Sequence, residues 1–72
     1  MDSANDQRHA ASAEEEAVRQ QLLARHPRWT AELDGTRRWV IRRAPSGELL
    51  GRHMDIVMAS EAALAAERRR AL

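Results

Sequence analysis

Residues 28–53 decide the fold, and they read RWTAELDGTRRWVIRRAPSGELLGRH. Apolar and polar residues alternate on both sides of Asp34-Gly35, a pattern typical of strands that bury one face. An Asp-Gly pair between two such runs predicts a β-hairpin. Trp29 and Trp39 then lie on two adjacent strands.

The register of this hairpin depends on its loop. A two-residue Asp-Gly turn would place Trp29 and Trp39 on opposite faces of the sheet. A three-residue loop over residues 34–36 instead gives one apolar face and one charged face, and we therefore prefer it. The cross-strand pairs that it predicts are Leu33 with Arg37, Glu32 with Arg38, Ala31 with Trp39, and Trp29 with Ile41.

A second turn signal, Pro45-Ser46-Gly47, precedes residues 48–53 and predicts a third antiparallel strand in a meander. With these three residues as the loop, Arg42 lies opposite Leu50 and Val40 lies opposite Arg52. Four arginines then point away from the tryptophans, so that this face of the sheet is basic and open: Arg28, Arg38, Arg42 and Arg52.

A first helix precedes the strands. Ser12, followed three residues later by Glu15, makes a capping box, and the acidic residues 14–16 lie where the helix dipole is positive. These signals predict a helix over residues 13–25. Pro27 ends it, because a proline disfavours helical geometry at the preceding residue, His26.

A second helix follows the strands. Ser60 with Glu61 next to it predicts a helix start, and the strong helix formers of residues 62–72 continue it, with three arginines in the last turn. Residues 54–59 fit either the third strand or this helix.

The predicted order is helix, three-stranded antiparallel meander, helix, which is an α+β fold. We expect both helices to cover the tryptophan face of the sheet. Residues 1–11 are small and polar without a period, and we expect a disordered arm there. Residues 12–72 then form a single small α-β-β-β-α domain.

Composition limits the size of the core. The chain has 72 residues, of which Leu, Ile, Val and Phe together contribute 12. Domains this small usually gain stability from disulfides, a metal or a partner, and this chain has no cysteine. We therefore expect self-association, as a homo-oligomer such as a dimer, or a protein partner.

Several function classes are not expected from the sequence. No apolar run approaches 18 residues and no secretory signal opens the chain, so we expect a cytoplasmic protein without a membrane role. Its serines, histidines and carboxylates show no spacing of a nucleophile and base, and no enzyme or cofactor is expected. His26, His53 and Asp55 make a poor metal set, because structural zinc sites use cysteine or closely paired histidines.

Basic charge is concentrated in the middle of the chain. Residues 25–54 hold seven arginines and three acids, whereas residues 1–24 hold two arginines and five acids. All 12 basic residues are arginine, which suits phosphate recognition but is better explained by a GC-rich genome. The open-face arginines suit phosphate oxygens and guanine edges. We favour the simpler interpretation, in which Arg38 and Arg42 pair with Glu32 and Glu48 across strands and keep the sheet soluble.

The two tryptophans also allow two interpretations. They could stack on exposed bases, as aromatic side chains do in single-strand binders. The chain has no Phe or Tyr, however, so the indoles are its only large rings for filling space between sheet and helices. We favour the core role.

The element order and three runs of sequence resemble the double-stranded-RNA-binding domain family. The runs are RRWVIR at residues 37–42, SGELLG at 46–51 and SEAA at 60–63. From Trp29 onward the chain is also similar to integrase arm-binding domains, whose sheet face reads the DNA major groove, with Arg38, Arg42 and Arg52 at the matching positions. A third similarity, through His26-Pro27, Trp29, Arg38-Trp39 and Arg42, is to small uncharacterised actinobacterial proteins.

Two functional hypotheses follow from the sequence. In the first, the chain is a nucleic-acid-binding accessory or regulatory domain that uses Arg28, Arg38, Arg42 and Arg52. In the second, it is a small protein-interaction module, a homodimer, because the apolar run Ile56, Val57 and Met58 lies beside a potentially open sheet edge.

Overall fold

The computed structural model describes residues 11–71, and the predicted α+β order of helix, meander and helix is confirmed. The sheet is antiparallel with strand order β1-β2-β3. The arm expected over residues 1–11 lies outside the described residues except for Ala11. The elements are α1 (Ala13–Arg25), β1 (Trp29–Leu33), β2 (Trp39–Arg43), β3 (Glu48–His53) and α2 (Ile56–Ala71).

Helix α1 has the predicted bounds because both of its end signals are local. The Ser12 hydroxyl accepts a hydrogen bond from the Glu15 backbone N–H, and the Glu15 carboxylate accepts one from the Ser12 backbone N–H. His26 caps the other end just before Pro27. The backbone bond from Ser12, with smaller help from the Trp39 indole and Arg37, lowers the pKa of Glu15 against the opposing effect of burial.

The β1–β2 register is shifted by two residues from the predicted one. The observed partners are Leu33 with Trp39, Glu32 with Val40, Ala31 with Ile41, Thr30 with Arg42, and Trp29 with Arg43. The prediction of Ala31 opposite Trp39 was therefore wrong. A shift of two keeps every side chain on its expected face, because side chains alternate with a period of two.

The observed β1–β2 loop lies one residue later than the predicted loop, because Asp34 belongs to the end of the strand and not to the loop. Its Oδ1 accepts from the backbone N–H of Thr36 and Arg38 and from the Thr36 hydroxyl, at 2.7–3.0 Å. Asp34 also pairs by backbone with Arg38, which leaves Gly35 to Arg37 as the three-residue loop. Arg37 completes that loop in the left-handed region at φ 61°.

A bulge in β3 corrects the second predicted register. Val40 lies opposite Arg52 as predicted, but Arg42 lies opposite Leu49 and not Leu50. The bulge turns both Leu50 and Gly51 toward the helices, where both are buried, and leaves Leu49 half exposed on the other face. An irregular strand of this kind is also a poor template for edge-to-edge pairing.

Helix α2 begins at Ile56, so residues 56–59, which the sequence left open between strand and helix, belong to the helix, and Ser60 is not its first residue. Asp55 caps this helix, because its Oδ1 accepts from the Val57 N–H at 2.8 Å and its carbonyl accepts from the Ala59 N–H at 2.9 Å. Ser60 is buried inside the helix, where its hydroxyl donates to the Val57 carbonyl. Ile56 is buried in the core, and its packing there favours a helix that begins at this residue.

The core lies between the sheet and both helices, as expected. Its buried hydrophobic residues are Trp29, Ala31, Trp39, Ile41, Leu50, Ile56, Ala59 and Ala63. The predicted core role of the tryptophans is confirmed, and each indole N–H also binds a helix carboxylate: Trp39 donates to Glu15 of α1 and Trp29 to Glu67 of α2. Within residues 11–71, neither helix has the length and apolarity to cross a bilayer.

Candidate nucleic-acid interface

The sheet face opposite the tryptophans carries the predicted arginines. The register places Thr30, Arg42 and Leu49 in one row across the strands and Glu32, Val40 and Arg52 in the next. We call this surface the open face; Arg28 lies just before β1 and Arg38 just before β2. The face extends over about 20 Å from the level of Arg28 to that of Arg38, at about 3.4 Å per strand residue.

All four predicted arginines are exposed. The Arg52 guanidinium lies 3.2 Å from an Asp34 carboxylate oxygen, and Arg42 donates to the Gly47 carbonyl at 2.9 Å. Within residues 11–71, neither Arg28, Arg38 nor Arg42 is in an ion pair.

The cross-strand ion pairs allowed by the simpler interpretation do not form. Glu48 pairs with Arg70 of α2, and Glu32 has no ion pair within residues 11–71. Arg38 and Arg42 therefore keep their guanidinium groups available.

Carboxylates are concentrated on the helix side of the molecule. Four ion pairs involve helix residues: Arg19 with Glu16, Arg37 with Glu15, Arg43 with Glu67, and Arg70 with Glu48. Among residues 11–71, the open face holds four arginines and two acids, Glu32 and Asp34. Residues 25–54 carry a net charge of +4, from seven arginines and three acids, and half of it, +2, lies on the face that the helices leave uncovered.

Asp34 is the most strongly perturbed acid in the described part of the chain. Its pKa is lowered to about 2, first by the backbone N–H of Arg38, then by the Thr36 hydroxyl and backbone, with the Arg52 charge contributing last. Asp34 is therefore ionised at neutral pH. Its carboxylate holds the β1–β2 loop closed through the Thr36 and Arg38 backbone, and its charge draws Arg52 toward the Arg38 end of the open face.

Asp34→Asn should flatten the acid side of the stability curve. The folded-state pKa of about 2 lies below the ordinary value of 3.8, so the folded state binds fewer protons in this interval. The stabilisation is complete above about pH 4 and is lost as the pH falls toward 2. Urea midpoints between pH 2 and 6 measure it: the wild type should lose more stability on acidification than the variant, and parallel curves would contradict this role.

The three predicted interface residues, Ile56, Val57 and Met58, differ in burial. Ile56 is 4% exposed and belongs to the core, so its assignment to an interface was wrong. Val57 and Met58 are each 46% exposed in the first turn of α2, and Met54, just before it, is 66% exposed. These three residues remain accessible to a partner.

His26, His53 and Asp55 do not come together as a metal site within residues 11–71. Within the range 11–71 no three metal-ligating side chains come together. His53 uses its Nδ1 to accept from the Asp55 N–H, and His26 stacks on Trp29.

Sequence reasoning missed a cleft beside the open face. It has a volume of about 400 Å³ and lies between the end of α1, the start of β1 and α2. Its residues are Arg25, His26, Pro27, Arg28, Trp29, Arg43, Leu64 and Glu67. No sequence pattern predicts this cleft, because it depends on a contact between Trp29 and Glu67, which are 38 residues apart in the chain.

No family model, curated protein or solved structure matches this chain. The family resemblances drawn from the sequence stay predictions, and the functional argument rests on the geometry of the open face and the cleft.

Proposed function

We propose that the chain is a small nucleic-acid-binding accessory or regulatory domain of the cytoplasm, and that the open face is its binding surface. The observation that carries this proposal is the distribution of charge. Arg28, Arg38 and Arg42 lie on the face without helices and have no carboxylate partner within residues 11–71. Four other arginines are each in an ion pair that involves a helix residue.

The chemistry of this face suits a polyanion. Guanidinium groups donate bidentate hydrogen bonds to phosphate oxygens and to guanine edges, and an antiparallel ribbon fits the DNA major groove. Half-buried Val40 and half-exposed Leu49 lie between the arginines and supply an apolar centre for sugars or a thymine methyl group.

The direct test is fluorescence anisotropy of labelled duplex DNA, duplex RNA and single-stranded DNA over a salt series. Three unpaired arginines and the weakly held Arg52 should neutralise about three or four phosphates. The logarithm of the affinity for duplex DNA should then fall against the logarithm of the salt concentration with a slope of roughly −3 to −4. Absence of binding to all three substrates at low salt would remove the proposal.

A protein-interaction role, as a homodimer, is the second candidate, and the exposed apolar side chains Met54, Val57 and Met58 favour it. Because β3 is bulged, such a dimer would use the first turn of α2 and not the strand edge. We expect sedimentation equilibrium at high micromolar concentration to give a dimer mass that Val57→Asp with Met58→Asp reduces to the monomer. A monomeric wild type at that concentration would exclude this role.

A further inference from the structure

The cleft beside the open face has the size and shape of a small-molecule site. Its volume of about 400 Å³ falls within the roughly 300–1,000 Å³ typical of such sites. Trp29, Pro27 and Leu64 supply apolar wall, and Leu64 is 36% exposed, so the wall is incomplete without an occupant. The functions proposed above do not use this space.

The cleft holds more positive than negative charge. Glu67 is the one acid among its lining residues, and both of its oxygens are occupied: Oε2 accepts from the Trp29 indole at 3.1 Å, and Oε1 accepts from Arg43. Arg25 and Arg28 are exposed at the cleft and make no ion pair with residues 11–71. Three arginines and a single carboxylate thus line the cleft.

Arg43 is incompletely satisfied by the protein. Its side chain makes one hydrogen bond with residues 11–71, to Glu67, although a guanidinium has five N–H donors. Its Nε is the only buried side-chain nitrogen or oxygen within the described range that lacks a partner. A buried donor without a partner is destabilising, and an anionic ligand that reorients this guanidinium would recover part of that cost.

A flat aromatic wall stands next to these arginines. The His26 ring stacks on the Trp29 indole with 3.8 Å between centroids and 11° between planes. His26 is only half-buried, so part of its ring remains available at the cleft. A third ring could extend this stack, as nucleobases do on aromatic side chains.

We propose that the cleft binds a phosphate monoester that carries a nucleobase, with the phosphate on Arg25, Arg28 and Arg43 and the base against His26 and Leu64. A free mononucleotide and the 5′-phosphorylated end of a strand share this chemistry. The strand-end form rests on the proposed function, since Arg28 belongs to both the cleft and the open face and would join them into one surface. The free-nucleotide form does not depend on it.

The two tryptophans make the test internally controlled. A ¹H–¹⁵N spectrum of this protein contains two indole N–H signals; that of Trp29 reports on the cleft, and that of Trp39, bonded to Glu15, reports on a distant site. Titration with adenosine 5′-monophosphate should shift the Trp29 signal saturably and leave the Trp39 signal in place. Adenosine alone and inorganic phosphate alone should each bind at least about tenfold more weakly, because each lacks half of the contacts.

Variants assign the effect to the cleft. Arg25→Glu should lower the affinity for the mononucleotide by about tenfold or more. His26→Ala should also lower the affinity for the mononucleotide but leave the affinity for inorganic phosphate unchanged. Arg69→Glu is the matched control, since it makes the same change of charge at an exposed α2 residue outside the cleft. Equal loss in Arg25→Glu and Arg69→Glu would overturn the proposal, as would equal movement of both indole signals or no Trp29 shift at millimolar nucleotide.

A last comparison separates this proposal from the nucleic-acid function. Arg38→Glu with Arg42→Glu should leave the mononucleotide titration unchanged, because neither residue lines the cleft. A short oligonucleotide with a 5′-phosphate that shifts Trp29 more than its 5′-hydroxyl counterpart supports the strand-end source, and equal affinity for free nucleotide and strand end supports the free source. Strands that bind with the expected salt slope and never shift Trp29 would rule out the strand-end form and leave the nucleic-acid function standing. If adenosine 5′-monophosphate also failed to shift Trp29, the cleft proposal as a whole would be wrong.

Discussion

Gly51→Ala should destabilise the domain by about 3 kcal/mol, at the upper end of the range for overpacking a core. Helix α2 crosses β3 at this glycine so closely that an added Cβ would collide with the Ala59 carbonyl oxygen. The same Cβ would lie 3.0 Å from the Ala63 nitrogen and 3.2 Å from the Ala62 Cβ. Two of these neighbours are helix backbone and the third is a Cβ, so none of them can rotate away as the end of a flexible side chain would.

The loss is large for a domain of this size. At about 0.05–0.15 kcal/mol per residue, the total stability is roughly 3–10 kcal/mol, so the variant should melt more than about 10 °C lower. Gly35→Ala is the control, because nothing lies within 4 Å of the Cβ position there. Thermal melts followed by circular dichroism compare the two. A Gly51→Ala melt equal to that of Gly35→Ala would show that α2 can move off β3 at little cost.

The sequence predicted the parts of the fold that local chemistry determines. Helix α1 was correct at both ends because Ser12 and Pro27 act within one turn of chain. The two faces of β1 and β2 were correct for a different reason, whereas in β3 the bulge exchanged the predicted faces of Leu49 and Leu50. The predicted register was wrong by an even number of residues, and side-chain direction survives an even shift.

Competition between equally plausible signals explains the errors. Asp34 fits either the first position of the loop or the last position before it. Its hydrogen bonds to Thr36 and Arg38 place it before the loop. Ser60 and Asp55 are both good helix caps, and burial of Ile56 selected Asp55. Tertiary packing made that choice, and no local propensity reveals it.

The open face was predictable and the cleft was not, and the difference is one of sequence distance. Arg38 and Arg42 face outward because the strand alternates, which the sequence shows directly. The cleft needs the end of α1, two strands and the second half of α2 in one place. The pairing of Trp29 with Glu67 follows only once both helices have packed on the sheet.

Arg38→Glu combined with Arg42→Glu should reduce affinity for nucleic acid by at least about 100-fold at low salt. Two charge-assisted contacts of about 1.5–3 kcal/mol each are lost, and two carboxylates are placed against phosphate. The salt slope should become shallower by about two, since two fewer phosphates are neutralised. Neither side chain lies in the core: Arg38 is exposed, and Arg42 is exposed with one hydrogen bond, to Gly47. The circular dichroism and melting temperature should therefore change little.

The control for this pair is Arg68→Glu combined with Arg69→Glu. Both residues are exposed in the last turns of α2 and form no ion pair within residues 11–71, so the net charge changes equally in the two double variants. The reversal near the helix C-terminus costs about 0.3–1 kcal/mol per residue at most through the dipole. If the open face is the binding surface, the control keeps most of the affinity, because long-range charge is screened beyond about 8–10 Å in physiological salt. Equal losses in both double variants would mean that nucleic acid responds to the net charge of the domain, and the face defined by β1, β2 and β3 would have no special role.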